Sequence, residues 1–206
     1  MPLWNKIAVG EGFLAIWRRE ESTLQLLDGL TLSPAEQAYY EQIAHQPRRR
    51  KEWLTWHRMI REFLGAGVSA DYDATGRPIL VGYPGFITVS HARDWVALYW
   101  QPHPCGVDLE ETGRNFDRVQ ARYISPAERA LPEAVPDNRF YALVWCAKEA
   151  AYKYTGIQGV DFIRDIQILH IDTAASKLLV QISNLTPLPL KYLFFQEHCL
   201  VYTAEL

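Results

Sequence analysis

Apolar and polar residues follow two periods along this chain, one typical of strands and one typical of helices. At 106–110 apolar residues alternate with carboxylates, which predicts a strand. From 138 to 155 apolar residues recur about every 100°, which predicts a long helix that ends at Gly156. The same reasoning predicts strands at 85–90, 95–100, 163–171, 176–183, 190–196 and 198–204.

Two capping boxes with proline at the first helical position mark further helix starts. They are Ser33-Pro34-Ala35-Glu36 and Ser125-Pro126-Ala127-Glu128. The first predicts helical structure over 33–65, broken at Pro47 and ended at Gly65. A short helix is predicted at 116–122.

The order of helix followed by hairpin occurs twice along the chain. It predicts an α+β fold of two similar halves, residues 1–103 and 104–206, connected at Pro102-His103-Pro104. Ligand-binding groups in both halves would then form one functional unit, with its site between them.

Composition narrows the class of protein. With 206 residues, 49% of them hydrophobic, the chain can bury a substantial core, and its net charge of −3 gives no reason to expect nucleic acid or an anionic membrane as partner. Neither a signal peptide nor a membrane span is apparent in the pattern, so we expect a cytoplasmic protein. The three cysteines fit reduced thiols, and we interpret Cys146 as a packing residue.

Three carboxylates and two lysines stand out in the second half. Asp108 and Glu110 share one face of the predicted strand, while Glu149 lies roughly opposite the apolar stripe of the long helix. Lys153 follows one turn after Glu149, and Lys148 flanks it, so both ammonium groups are expected away from the core. Such a set suits a divalent cation held against a phosphate ester. The same residues also fit an ordinary surface ion pair and the solvated face of an edge strand.

A resemblance favours the first interpretation. Cys105–Glu110 and Trp145–Lys153 resemble the two signature motifs of the 4′-phosphopantetheinyl transferases. Gly76-Arg77-Pro78, followed by a strand ending in Ser90-His91, resembles a third motif found in the longer, two-halved branch of surfactin-type enzymes. The resemblance implies two α+β subdomains related by pseudo-twofold symmetry, in a monomer.

The activity implied is transfer of the 4′-phosphopantetheine arm of coenzyme A to a serine of an apo acyl or peptidyl carrier protein, which releases adenosine 3′,5′-bisphosphate. The resemblance makes Asp108, Glu110 and Glu149 the ligands of Mg²⁺, with Mn²⁺ as the alternative metal. It makes Glu149 the candidate base for the serine. Lys153 and His91 would contact the phosphate bridge of coenzyme A.

Further coenzyme A contacts follow from the resemblance. Arg77 and a second arginine would bind the 3′-phosphate, and Arg50 is favoured within the basic run 48–51, where several registers stay open. Ser90 would face the nucleotide. The resemblance also makes Asp108 and Lys148 predicted contacts of coenzyme A.

An acidic carrier protein needs a basic surface near the site. The segment between the two acidic motifs offers Arg114, Arg118, Arg122, Arg129, Phe116 and Tyr123. Its arginines would share a helix face if the helix at 116–122 extends far enough, or they pair with Asp117 and Glu128.

Two other classes of function stay open. A non-catalytic module that binds coenzyme A or a carrier protein would bind coenzyme A without a metal. A metal-dependent nuclease would also use carboxylates with a lysine, but its usual acidic-x-Lys spacing is missing here.

Overall fold

The chain folds as two α+β units, each with its own apolar core. The computed structural model describes residues 2–131 and 137–204. The units are Met1–Pro104 and Cys105–Leu206. Of the helices described, none combines the length and the apolar character that crossing a membrane requires.

The first unit contains a four-stranded antiparallel sheet with strand order β1-β2-β6-β5 and a separate hairpin, β3-β4. Its strands are β1 (Leu3–Val9), β2 (Gly12–Arg18), β3 (Ser69–Tyr72), β4 (Pro78–Val81), β5 (Phe86–Ala92) and β6 (Trp95–Gln101). Its helices are α1 (Thr23–Leu27), α2 (Pro34–Gln42) and α3 (Pro47–Leu64). The helix α3 buries one face in the core because Trp53, Trp56 and Ile60 recur at helical spacing.

The second unit contains a five-stranded antiparallel sheet with strand order β7-β11-β10-β9-β8. Its strands are β7 (Val107–Glu111), β8 (Ile166–Asp172), β9 (Lys177–Ile182), β10 (Leu188–Phe195) and β11 (His198–Thr203). Its helices are α4 (Pro126–Arg129) and α5 (Asp137–Thr155), with a 3₁₀ turn at Gln120–Arg122. The long helix α5 supplies much of the core, which the sheet completes.

Both predicted capping boxes are present. The hydroxyl of Ser33 accepts from the backbone N–H of Glu36, whose carboxylate accepts from the backbone N–H of Ser33. Ser125 and Glu128 repeat this exchange at the start of α4. Each exchange satisfies two backbone donors that the first helical turn leaves without partners.

The two capping glutamates also bind the first strand after the long helix of their unit. Glu36 Oε1 accepts from the backbone N–H of Ala70 at 3.0 Å, and Glu128 Oε1 accepts from that of Ile168 at 2.8 Å. Both carboxylates are buried. This repeated connection supports the internal duplication at the level of single residues, whereas the pseudo-twofold relation of the halves stays a prediction.

The predicted strands and the long helices are confirmed, with shifts of a few residues at their ends. The helix predicted at 116–122 is wrong, because only the turn at Gln120–Arg122 is helical. The structure adds β1, β2, β3, β4 and α1, which the periodicity did not predict. Most of β1 is exposed, while β2 is a continuous buried run, so neither strand alternates between apolar and polar residues.

His57 is buried in α3 between two tryptophans. Its ring centroid lies 3.5 Å from that of Trp53 and 3.7 Å from that of Trp56. The imidazole Nδ1 lies 2.8 Å from the carbonyl oxygen of Trp53, and Nε2 lies 3.5 Å from Glu36 Oε1. Burial lowers the pKa of His57 to about 3, although the Trp53 carbonyl and Glu36 oppose the change. The imidazole is therefore neutral at physiological pH.

Lowering the pH from 7 to 5 is expected to cost about 2 kcal/mol of unfolding free energy through His57. Its pKa in the folded state lies below the unfolded value of 6.5, so the unfolded chain takes up the proton first as the pH falls. The stabilisation is complete above pH 6.5 and is lost progressively below it. Urea unfolding followed by tryptophan fluorescence measures this.

The variant His57→Gln keeps a hydrogen-bond donor but does not titrate, and should lose this pH dependence. Replacing the exposed His103 with glutamine should leave it unchanged. Because other groups titrate in this range, the quantity to compare is the difference in unfolding free energy between wild type and His57→Gln, and a difference that is the same at pH 7 and pH 5 would contradict the assignment.

Candidate active site

Asp108 and Lys153 meet where β7 packs against α5. Lys153 Nζ donates to Asp108 Oδ1 at 2.7 Å and to the carbonyl oxygen of Val107 at 3.1 Å. Only glycine fits just before this strand, because a Cβ on Gly106 would lie 2.0 Å from the carbonyl oxygen of Ala150 in α5. This close backbone approach places the Asp108 carboxylate beside the helix.

Glu110, two residues further along β7, lies on the same face of the strand as Asp108. Its Oε2 forms an ion pair with Arg114 Nη1, and its Oε1 accepts from the backbone N–H of Glu111 at 3.0 Å. The Arg114 guanidinium also lies 5.6 Å from the ring centroid of Trp145. Arg114 therefore balances the charge of a carboxylate that the sequence predicted as a metal ligand.

Glu149 on α5 responds to the charges of both strand carboxylates. Its pKa is raised to about 7, chiefly by burial and also by the charges of Asp108 and Glu110, while Lys153 opposes the rise. The charges of Asp108, Glu110 and Lys153 therefore all act on Glu149, as expected if the predicted residues form one site. Near neutral pH, Glu149 can gain or release a proton, a property that suits a general base.

Whether the three carboxylates suit a divalent cation depends on the kind and the charge of their donor atoms. Among residues 2–131 and 137–204, no three acidic, histidine or cysteine side chains lie close enough together to hold a metal ion. Oxygen ligands of negative charge are nevertheless what Mg²⁺ prefers. After burial, the negative charges of Asp108 and Glu110 also contribute to the raised pKa of Glu149, and a cation would offset them. The donor set therefore fits the ion in kind and in charge.

Lys148 does not join the group formed by the three carboxylates and Lys153. The prediction that its ammonium group is presented away from the core is wrong, because its side chain is fully buried. Its Nζ lies 2.7 Å from Glu128 Oε1 and donates to the carbonyl oxygen of Phe162 at 2.6 Å. Burial lowers the pKa of Lys148, and Glu128 opposes this. Its burial and its pairing with Glu128 give Lys148 a structural role and do not support the predicted contact with coenzyme A.

His91, at the end of β5, lies at a pocket of about 340 Å³ in the first unit. The pocket is lined by Tyr39, Arg49, Glu52, Trp53, Trp56, Tyr72 and His91. In the basic run, Arg49 reaches this pocket and donates to the Tyr39 hydroxyl at 2.7 Å. Arg50, favoured from the sequence, lies 4.0 Å over the ring of Tyr40, and its role in binding stays a prediction.

Arg77 and Ser90 occupy the two other predicted positions of the first unit. Arg77 follows Gly76, whose φ of +84° suits glycine, in a turn that the Asp73 carboxylate holds by accepting from the backbone N–H of Arg77 at 3.0 Å. Ser90 is buried at 6% exposure, and its side chain leaves β5 on the face opposite that of His91. The three predicted side chains therefore do not share one face, because Ser90 and His91 lie on opposite faces of β5 and Arg77 lies in a turn.

The predicted docking surface is partly corrected. Arg114, Arg118, Arg122 and Arg129 are all exposed. Phe116 and Tyr123 are buried, so they belong to the core and not to a surface. Because no regular helix spans 116–122, the arginines do not share a helix face. The alternative pairing with Glu128 is also wrong, since Lys148 occupies that carboxylate.

Sequence reasoning missed two residues of these sites. The sequence predicts a docking role for Arg114 and does not indicate its ion pair with Glu110. The spacing of four residues implies a contact in a helix, but here it falls across a turn. The sequence places Glu52 within a helix and predicts no further role for it. Its i, i+4 spacing from Arg48 was a signal for a salt bridge, but not for its approach to His91.

Comparison with known proteins identifies the class to which the second unit belongs. The model of the 4′-phosphopantetheinyl transferase superfamily matches residues 104–202, and this unit belongs to that superfamily. A 4′-phosphopantetheinyl transferase from Bacillus subtilis is 29% identical over 96 residues, which is 44% of this chain and 42% of that protein. The aligned region thus spans less than half of the relative. Membership of the longer, two-halved branch stays a prediction.

Proposed function

We propose that this protein transfers the 4′-phosphopantetheine group of coenzyme A to a serine hydroxyl of an apo carrier protein. The observation that supports this most strongly is the pairing of Asp108 with Lys153 at 2.7 Å beside Glu149, whose pKa is raised to about 7 by burial and by the charges of Asp108 and Glu110. The superfamily match covers the unit that contains these residues. A general base that titrates near neutral pH is what deprotonation of a serine requires.

Within the second unit, each side chain has a proposed task. Glu149 accepts the serine proton at its carboxylate. Lys153, held by Asp108, presents a positive charge to the phosphates of coenzyme A. Mg²⁺, or Mn²⁺ in its place, would be held by Asp108, Glu110 and Glu149 and would supply charge neutralisation at the pyrophosphate.

Within the first unit, we propose that His91 contacts the phosphate bridge of coenzyme A, that Arg77 and one arginine of the run 48–51 bind its 3′-phosphate, and that Ser90 contacts the nucleotide. The pocket at His91 supports this, because it joins Arg49 to several aromatic rings. A guanidinium suits a phosphate, and aromatic faces suit a base. Arg49 is the member of the run that lines the pocket, so it joins Arg50 as a candidate.

The carrier protein would meet the exposed arginines between β7 and α4. Arg118 and Arg122 are exposed there, and acidic partners are attracted by such charge. The nature of the carrier follows from no residue described above, so the experiment uses several apo carriers.

The direct test is intact-mass spectrometry of purified apo acyl carrier proteins incubated with this protein, coenzyme A and Mg²⁺. We expect a gain of one phosphopantetheine group, abolished by EDTA. Asp108→Asn should slow the gain more than about a hundredfold, because a metal ligand and the partner of Lys153 are lost together. Asp117→Asn, which changes an exposed carboxylate of the same unit, is the matched control.

Absence of any mass gain with all carriers, combined with tight coenzyme A binding that EDTA does not affect, would favour the non-catalytic binding module. Wild-type rates in Asp108→Asn would remove the role given to that carboxylate.

A further inference from the structure

Glu52 on α3 is a buried carboxylate that divides its two oxygens between different partners. Its Oε1 accepts from Arg48 Nε at 2.9 Å and lies 3.5 Å from Arg19 Nη1. Its Oε2 lies 3.6 Å from His91 Nε2. Two arginines thus hold one oxygen and leave the other directed at the imidazole.

The partners of Glu52 differ in how much water they contact. The Arg19 side chain is only 5% exposed, whereas that of Arg48 is 74% exposed. Burial lowers the pKa of Arg19, and Glu52 opposes this change. Glu52 is therefore fixed by a buried cation on one side while His91, with its side chain 48% exposed, lies at the open side.

Charges facing His91 come from every element around the pocket. The charged groups recorded there are Glu52, Arg48 and Arg49 of α3, Arg19 after β2 and Asp94 in the turn between β5 and β6, beside the neutral phenols of Tyr39 and Tyr72. Arg49 lines the pocket itself, and the three arginines together outnumber the carboxylates of Glu52 and Asp94, so this side of the unit carries a net positive charge. An anionic ligand is attracted to the pocket even though a glutamate lies in its wall.

We propose that Glu52 is a positioning residue, which orients the His91 imidazole and stabilises its positive charge so that His91 binds an anionic phosphate of the ligand. The physical basis is that a carboxylate within about 4 Å of an imidazole favours the charged form. The identification of the ligand as coenzyme A rests on the proposed function. The pairing of Glu52 with His91 does not.

The test compares wild type with Glu52→Gln by NMR titration of the histidine Cε1–H resonances, using His91→Gln to assign the His91 signal. The titration midpoint of His91 is expected to fall by about one pH unit when the carboxylate is neutralised. Arg48→Gln is the matched control. It removes an exposed partner of Oε1 but leaves Oε2 facing His91, so the His91 midpoint should not fall.

Calorimetric titration of coenzyme A at pH 7.5 gives the second readout, with thermal unfolding to verify that each variant is folded. Glu52→Gln should raise the Kd for coenzyme A about three- to tenfold, the size expected from losing part of one charge. Glu52→Asp should recover part of this affinity, since it restores the carboxylate.

An unchanged His91 midpoint in folded Glu52→Gln would overturn the proposal. A lower midpoint with unchanged affinity for coenzyme A would overturn the role in phosphate binding. If the wild-type protein bound no coenzyme A while the midpoint still fell, the proposed function would fail and the pairing of Glu52 with His91 would stand.

Discussion

Replacing Lys148 with methionine is expected to lower the free energy of unfolding by about 3–5 kcal/mol, the cost of leaving one member of a buried ion pair alone. Lys148 and Glu128 are almost completely buried, and Lys148 Nζ lies within 2.9 Å of both carboxylate oxygens. Methionine fills a similar volume, so the loss is electrostatic and not a cavity. Urea unfolding at pH 7 measures it.

The double variant Lys148→Met with Glu128→Gln provides the control for a stranded charge. It should recover part of the lost stability, because no unpaired charge is left in the core, but not all of it, because the single amide oxygen can accept from only one of the backbone N–H groups of Ser125 and Ile168. Lys191→Met, at an exposed position of β10, should change stability by less than about 0.5 kcal/mol. A similarly small effect of Lys148→Met would show that the buried pair contributes little.

At Glu149 the expected effect is on activity. Glu149→Gln should lower kcat for phosphopantetheine transfer by about 10²- to 10⁴-fold, the usual contribution of a general base. Without metal the pKa of Glu149 is raised to about 7, and bound Mg²⁺ would lower it, so the pH below which kcat/KM falls should decrease as the Mg²⁺ concentration rises, because only the ionised form accepts a proton. Initial rates between pH 5.5 and 8.5 measure this dependence.

The stability of Glu149→Gln should move in the opposite direction. Burial, Asp108 and Glu110 raise the pKa of Glu149 in the folded state above the unfolded value of 4.5. Stability therefore decreases as the pH rises from 4.5 to 7, and glutamine removes a penalty of about 1–3 kcal/mol at neutral pH. A variant that was both inactive and less stable than wild type would contradict this account, whereas Asp117→Asn should match wild type in both properties.

The helices show how far the sequence could predict this site. Periodicity placed α5 and the relation of Glu149 to Lys153 correctly, because both lie on the less buried side of the helix. It misplaced Lys148, since α5 is buried over a wider arc that also includes Cys146 and Ala150. No local pattern could indicate this, because the partner of Lys148 is provided by another helix.

The strands show a similar limit. Alternation predicted β7 and its two carboxylates, since one face of the strand packs on a core and the other carries charge. The alternation could not show that Arg114 would turn back to Glu110, or that Glu52 would approach His91. Contacts between side chains on different elements depend on how the elements pack, and sequence spacing does not encode that.

The capping glutamates supply a fixed point for comparing the two halves of the chain. If one half arose by duplication of the other, Glu36 corresponds to Glu128, and Ala70 corresponds to Ile168. Aligned in this way, Lys148 fills the role that Arg61 has opposite Glu36, where the neutral His57 lies beside the same carboxylate. One copy would then have diverged in the base that neutralises its buried acid while keeping the acid itself, a trace of common descent that overall sequence similarity would not reveal.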